Sequence, residues 1–255
     1  MHNLYPKESQ NLDFLGHLEE LRRRLLICLA FLAVASLIAF TQKKLLMGLI
    51  ERPASGLIEK LIFIAPAEVF GAYIKISLLG GFILSFPVIL YQAWAFLTPA
   101  LTESPRTGLR IMVWMAAALV CFVAGILFSY FIAIPAALRF LISFGADIAY
   151  AYITLNKYVS FFGALILTGG LVFEIPIVMV LLVDTGLLKT RTVKTRRPYA
   201  YLTILVLAAV ITPTQDVVNM LIFALPMILL FELGVWIASL VEKGKADLKK
   251  DEEGI

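Results

Sequence analysis

Charge is scarce in this chain. Asp, Glu, Lys and Arg make up 16% of its 255 residues, against about a quarter in a soluble domain. Histidine and cysteine are scarcer, with two of each. Both histidines, His2 and His17, precede the first long apolar run, which excludes a histidine-built metal or proton-relay site within the apolar segments. Cys28 and Cys121 lie in separate apolar runs, far from metal-ligand spacing, and read as small hydrophobes facing helix or lipid. Glycine-rich phosphate loops, H-E-x-x-H and G-x-S-x-G are all missing. What remains is hydrocarbon: 61% of the residues are apolar, and the mean hydropathy of +0.92 defines a polytopic membrane protein.

A membrane span needs roughly 20 mostly apolar residues. Six segments qualify or nearly qualify: 24–41, 74–97, 109–134, 158–183, 199–211 and 217–239. The start imitates a signal peptide, with Arg22 to Arg24, an apolar run and "AVAS" at 33–36. The run continues through Leu37, Ile38 and Phe40, however, so a retained first span is expected. The fifth segment is short, covering about 20 Å of a core roughly 30 Å thick, and the last two spans read as a shallow hairpin. Pro87, Pro176 and Pro226 fall inside spans two, four and six, where each should kink a helix and free backbone acceptors. Residues 42–72 and 135–157 are too amphipathic to span and too apolar to be free loops, so they are expected as two external caps. Fifteen of the 22 basic residues then fall on the side of the termini, which the positive-inside rule makes cytoplasmic. The expected fold is an all-α bundle of six transmembrane helices. Residues 1–241 form one membrane domain, and 242–255 a charged tail read as disordered.

The few charges inside this pattern are the candidates for function. "HLEELRRRL" at 17–25 sets Glu19 and Glu20 at the mouth of span one. One reading is a solvated face, with i,i+3 and i,i+4 pairs to Arg22, Arg23 and Arg24. The other is a boundary carboxylate able to accept a bidentate guanidinium. Glu174, in "GGLVFEIPIVMVLL", is one acid in an otherwise uncharged span. At a cost of about 2.5–3.5 kcal/mol on insertion scales it should face protein or water; the alternative is a protonated acid bonded to a neighbouring helix. Glu232 reads as structural, Asp216 as a cap for span six, Lys75 as snorkelling outward, and "KTRTVKTRR" as an anionic-lipid anchor.

Several of these stretches, in order, carry a resemblance: "HLEELRRRL" (17–25), "PAEVFGAYIKISLLGG" (66–81), "PVILYQAWAFLTPAL" (87–101), "FEIP" (173–176) and "ITPTQDVVNMLIFALPMILLFELG" (211–234). With the six-span outline they resemble the TatC family, receptor subunits of the twin-arginine protein translocase, over nearly the whole chain. The resemblance implies a concave, glove-like scaffold, multi-pass in the cytoplasmic (inner) membrane. It implies binding of signal peptides with paired arginines, single-span TatA- and TatB-type partners, self-association in the receptor complex, and transport of folded cargo driven by the proton-motive force. It places Glu20, Arg22 and Phe96 in the signal-peptide site and matches Glu174 and Asp216 to acids of the family. Two positions depart. The family's second loop acid is replaced by Pro105 in "TESPR", with Glu103 two residues earlier; a polar Gln often found in the last span is Met220 here. The short hairpin offers a docking edge for a partner helix, with Leu205 midway along span five and Met220 near the outer end of span six. Neither a cofactor nor a nucleic-acid partner is expected, and the chain reads as non-enzymatic. The rival reading is a proton-coupled secondary transporter using Glu174, but internal repeats, usual in transporters, are not evident. An intramembrane hydrolase would need a nucleophile–base pair, and no span contains a histidine.

Overall fold

The structure, a computed structural model, describes residues 6–58, 60–97, 107–145, 152–211 and 217–253. Its regular elements are helices: α1 (Pro6–Thr41), α2 (Lys43–Glu51), α3 (Pro66–Leu97), α4 (Thr107–Phe128), α5 (Ile134–Gly145), α6 (Leu155–Val172), α7 (Ile175–Asp184), α8 (Thr190–Thr195), α9 (Arg197–Ile211) and α10 (Val217–Glu253). Five stretches are long and apolar enough to cross a membrane: Gly16–Thr41, Pro66–Phe96, Met112–Phe144, Leu155–Asp184 and Met220–Gly244. A sixth, Arg197–Val210, is apolar but shorter.

Three expectations about the helices are corrected. Only the fifth span is short. The sixth is long enough to cross, at Met220–Gly244 within α10, whose 37 residues run on through the charged tail to Glu253. Lys, Glu, Asp and Ala dominate "EKGKADLKKDEE" and extend a helix already nucleated upstream, so little opposes their propagation. The second cap is not a separate interfacial helix, because α4 continues into α5 through a π-helical turn at Ser129–Ala133. Pro135 explains that turn. It has no N–H for the carbonyl of Phe131, and Ile134 N–H bonds instead to Ser129 O. Finally, span four is broken rather than kinked. Pro176 cannot donate to Val172, so α6 ends there and α7 restarts at Ile175 after a turn at Phe173–Glu174. Pro87 and Pro226, by contrast, lie within continuous helices.

Packing divides the bundle at that break. α6 lies against α3 and α4, and α3 also carries α1, whereas α7 packs on α10, which carries α9. Small residues permit the close crossings. A Cβ at Gly125 of α4 would stand 2.3 Å from Gly169 O of α6, and one at Gly234 of α10 would stand 2.9 Å from Pro176 Cα. A Cβ at Gly81 of α3 would stand 2.6 Å from Ser36 Cα of α1. This is the small-residue packing of membrane helices, where close backbone approach replaces the absent hydrophobic drive.

The two connections at the end opposite Glu20 are tied together. Ile62 N–H donates to Ile153 O (3.1 Å) and Leu155 N–H to Ile62 O (2.8 Å), making a parallel β-bridge between Ile62 and Thr154. The last carbonyls of α2 lack helical donors. Tyr130 OH donates to Leu49 O (2.9 Å), and Tyr158 OH, fully buried, donates to Ile50 O (2.6 Å).

Candidate functional site

At the other end, α1 rests on the last turns of α3, and the register of that contact brings distant residues together. Arg24 donates through Nε (3.0 Å) and Nη2 (2.6 Å) to one oxygen of Glu20, Oε1. Its Nη1 donates to Gln92 Oε1 of α3 (3.1 Å). Arg24 thus clamps the acid of one helix to the amide of another. Among the described residues the second carboxylate oxygen, Oε2, makes no hydrogen bond and has His17 Nδ1 at 3.9 Å. The His17 ring stacks on Phe96, with centroids 4.9 Å apart. The Glu20 side chain is 32% exposed and that of Arg24 22%. The outcome is a partly exposed carboxylate with Oε1 held and Oε2 without a hydrogen bond among the described residues, beside the His17–Phe96 ring pair. Such a group can accept one further guanidinium.

Of the residues expected in this site, the structure brings Glu20 and Phe96 into one cluster through His17. Arg22 is not in it. Two residues from Glu20 it faces away, and with Glu19 and Arg23 it lines a separate, open, basic surface. Glu103 lies outside the described residues, as does Asp216. Gln92 was missed by the sequence reading, although a lone amide in "PVILYQAWAF" signals a polar partner within an apolar helix.

Glu174 sits at the break between α6 and α7, half-buried, with Oε1 buried and without a hydrogen-bond partner among the described residues. Glu232 holds the short helix in place: Oε2 accepts from Arg197 Nη2 (2.7 Å) and Oε1 from Tyr201 OH (2.5 Å), tying α9 to α10. One arginine of the basic "KTRTVKTRR" run therefore has an internal partner. Leu205 and Met220 are partly buried and pack against the core. Lys75 does not simply point outward; it bonds to α6, through Asn156 and Ser160.

Fold and site together define a multi-pass helical membrane protein that presents a held carboxylate and an aromatic pair at one mouth of its bundle. A family model described as Sec-independent protein translocase protein (TatC) matches residues 16–226. The chain is 34% identical over 235 residues to the TatC of Carboxydothermus hydrogenoformans, covering 92% of this chain and 96% of that one. It is 34% identical over 238 residues to the TatC of Aquifex aeolicus, covering 92% and 98%. A solved structure described as the crystal structure of the twin-arginine translocase receptor TatC superposes with a TM-score of 0.78 at 35% identity, covering 88% of this chain and 99% of that one. The chain belongs to the TatC family, and is a component of a Sec-independent protein translocase.

Proposed function

We propose that this chain is the receptor of a twin-arginine translocase, binding paired-arginine signal peptides at the end that carries Glu20. The observation that supports this most is the half-used carboxylate: Arg24 takes Glu20 Oε1, and Oε2 is left toward a ligand. A planar guanidinium, with its fixed fork of donors, suits that oxygen and the neighbouring His17–Phe96 rings better than an ammonium does. The second ligand arginine needs its own acceptor, and Glu103 is the acid of the second loop assigned to it. This end faces the cytoplasm, in keeping with its share of basic residues. Single-span TatA- or TatB-type partners dock on the α9–α10 side, copies of the receptor associate, and Glu174 serves a hydrated groove within the membrane during transport driven by the proton-motive force.

Peptide binding to the purified full chain tests the reading. A twin-arginine peptide should bind at least about tenfold more tightly than its twin-lysine form, and Glu20→Ala should remove about tenfold or more, the worth of a charge-assisted hydrogen bond. Equal binding of the two peptides, or unchanged affinity in Glu20→Ala, sinks the assignment.

A further inference from the structure

A second polar cluster lies at the opposite end from Glu20. Lys75, on α3, donates through Nζ to Asn156 Oδ1 (2.6 Å) and Ser160 Oγ (2.7 Å), both in the first two turns of α6. Both acceptors are neutral, and no carboxylate lies within ion-pair distance of Lys75 among the described residues. An ammonium has three N–H donors, so one donor and a full positive charge remain. Below the ammonium runs an open groove of about 360 Å³ between α1, α3 and α6, within the range of about 300–1,000 Å³ typical of small-molecule sites. Its lining is apolar apart from Lys75 and Ser160, and includes Leu32, Leu79, Phe82, Gly163 and Leu167. Nothing fills it from Gly163, where an added Cβ would meet only Leu79 Cδ2, at 3.9 Å.

The level of the cluster identifies the occupant. From Lys75 to Leu97, the last residue of α3, is about 33 Å at about 1.5 Å per residue, close to the roughly 30 Å hydrocarbon core. Lys75 therefore stands at the boundary of one leaflet, and the groove descends from it into hydrocarbon. One cation at the mouth and alkyl side chains below match an amphiphile with one anionic head and an alkyl tail. A partner helix would present polar groups along its length or an acid set at one register, and the groove has nothing along its length to meet them. We propose that this groove is a binding site for one anionic phospholipid, its phosphate on Lys75 and one acyl chain along Leu32, Phe82 and Leu167.

Native mass spectrometry of the full chain in detergent, titrated separately with phosphatidylglycerol and phosphatidylcholine, tests this. The first phosphatidylglycerol should bind more tightly than phosphatidylcholine. Lys75→Gln should weaken it about tenfold and Lys75→Arg should retain it. Gly163→Leu, which fills the groove and leaves the lysine untouched, should weaken it as well. A photoreactive side chain at Leu78, on the groove wall, should yield lipid adducts in membranes. Equal affinity for the two lipids, a Lys75→Gln variant that binds as the parent does, or Leu78 adducts with a polypeptide would each overturn the site.

Discussion

Three carboxylates show how differently one group can be used. Glu232 has both oxygens engaged, by Arg197 and Tyr201; Glu20 has one engaged and one without a hydrogen bond among the described residues; Glu174 has a buried oxygen with no hydrogen-bond partner among the described residues. The first is a structural tie. Glu232→Gln should lower stability by about 1–2 kcal/mol, the loss of a charged hydrogen bond discounted because its side chain and that of Arg197 are about one third exposed. Thermal unfolding followed by a thiol-reactive dye, for which Cys28 and Cys121 are free, reads this as a lower midpoint. An unchanged midpoint would mean the pair does not hold α9. Glu174 should behave in the opposite sense. Replacing a half-buried acid whose inner oxygen has no partner among the described residues by an apolar side chain of similar size is near neutral or stabilising, so Glu174→Leu should unfold at the same temperature or higher while export of a folded cargo falls. A lower midpoint would make Glu174 a structural residue.

Two spans of this protein are interrupted at a proline that removes a donor, and helices are brought together where glycine removes a side chain. Pro176 ends α6 and Pro135 sets the π-turn, whereas the crossing of α4 on α6 depends on Gly125 and Gly169, with Ser129 beside them. Gly125→Val should therefore destabilise strongly, because its Cβ would be forced to 2.3 Å from a backbone oxygen that cannot retreat without moving α6. Gly163→Ala, on the same helix as Gly169, has open space and should raise stability by up to about 1 kcal/mol through helix propensity. Folded yield and unfolding midpoint of the two variants decide the matter; similar behaviour of both would show that the crossing is looser than its geometry.

At the scale of the molecule, the broken fourth span joins two packing groups, α1–α3–α4–α6 and α7–α9–α10. The short α9 of 15 residues covers about 22 Å of a core roughly 30 Å thick; a bilayer thinned beside it would suit the partner helix proposed above. Leu205 and Met220 pack partly on the core, but Leu202 is 60% exposed and Leu221 48%. Cysteines at Leu202 and Leu221 should therefore crosslink to the single-span partner in membranes more efficiently than cysteines at Leu205 and Met220. Crosslinks confined to α4 positions such as Val120 would place the partner elsewhere.

Hydropathy is summed over a window, and the cost of an unpaired charge in hydrocarbon does not depend on which helix is adjacent. For that reason the membrane class, the apolar spans, the short fifth helix and the oddity of Glu20 and Glu174 were all legible in the order of residues. The pairings were not. Glu20 and Arg24 are one turn apart and could be read on a helix, but Gln92 lies 68 positions from Arg24, Asn156 81 positions from Lys75, and Glu232 35 from Arg197. Each of these contacts depends on the rotation and depth of two helices against each other, and those are set by where small residues let backbones meet. The same packing stacks His17 of α1 on Phe96 of α3. A side chain's neighbours across a bundle are fixed by packing, and packing is a property of the assembled helices.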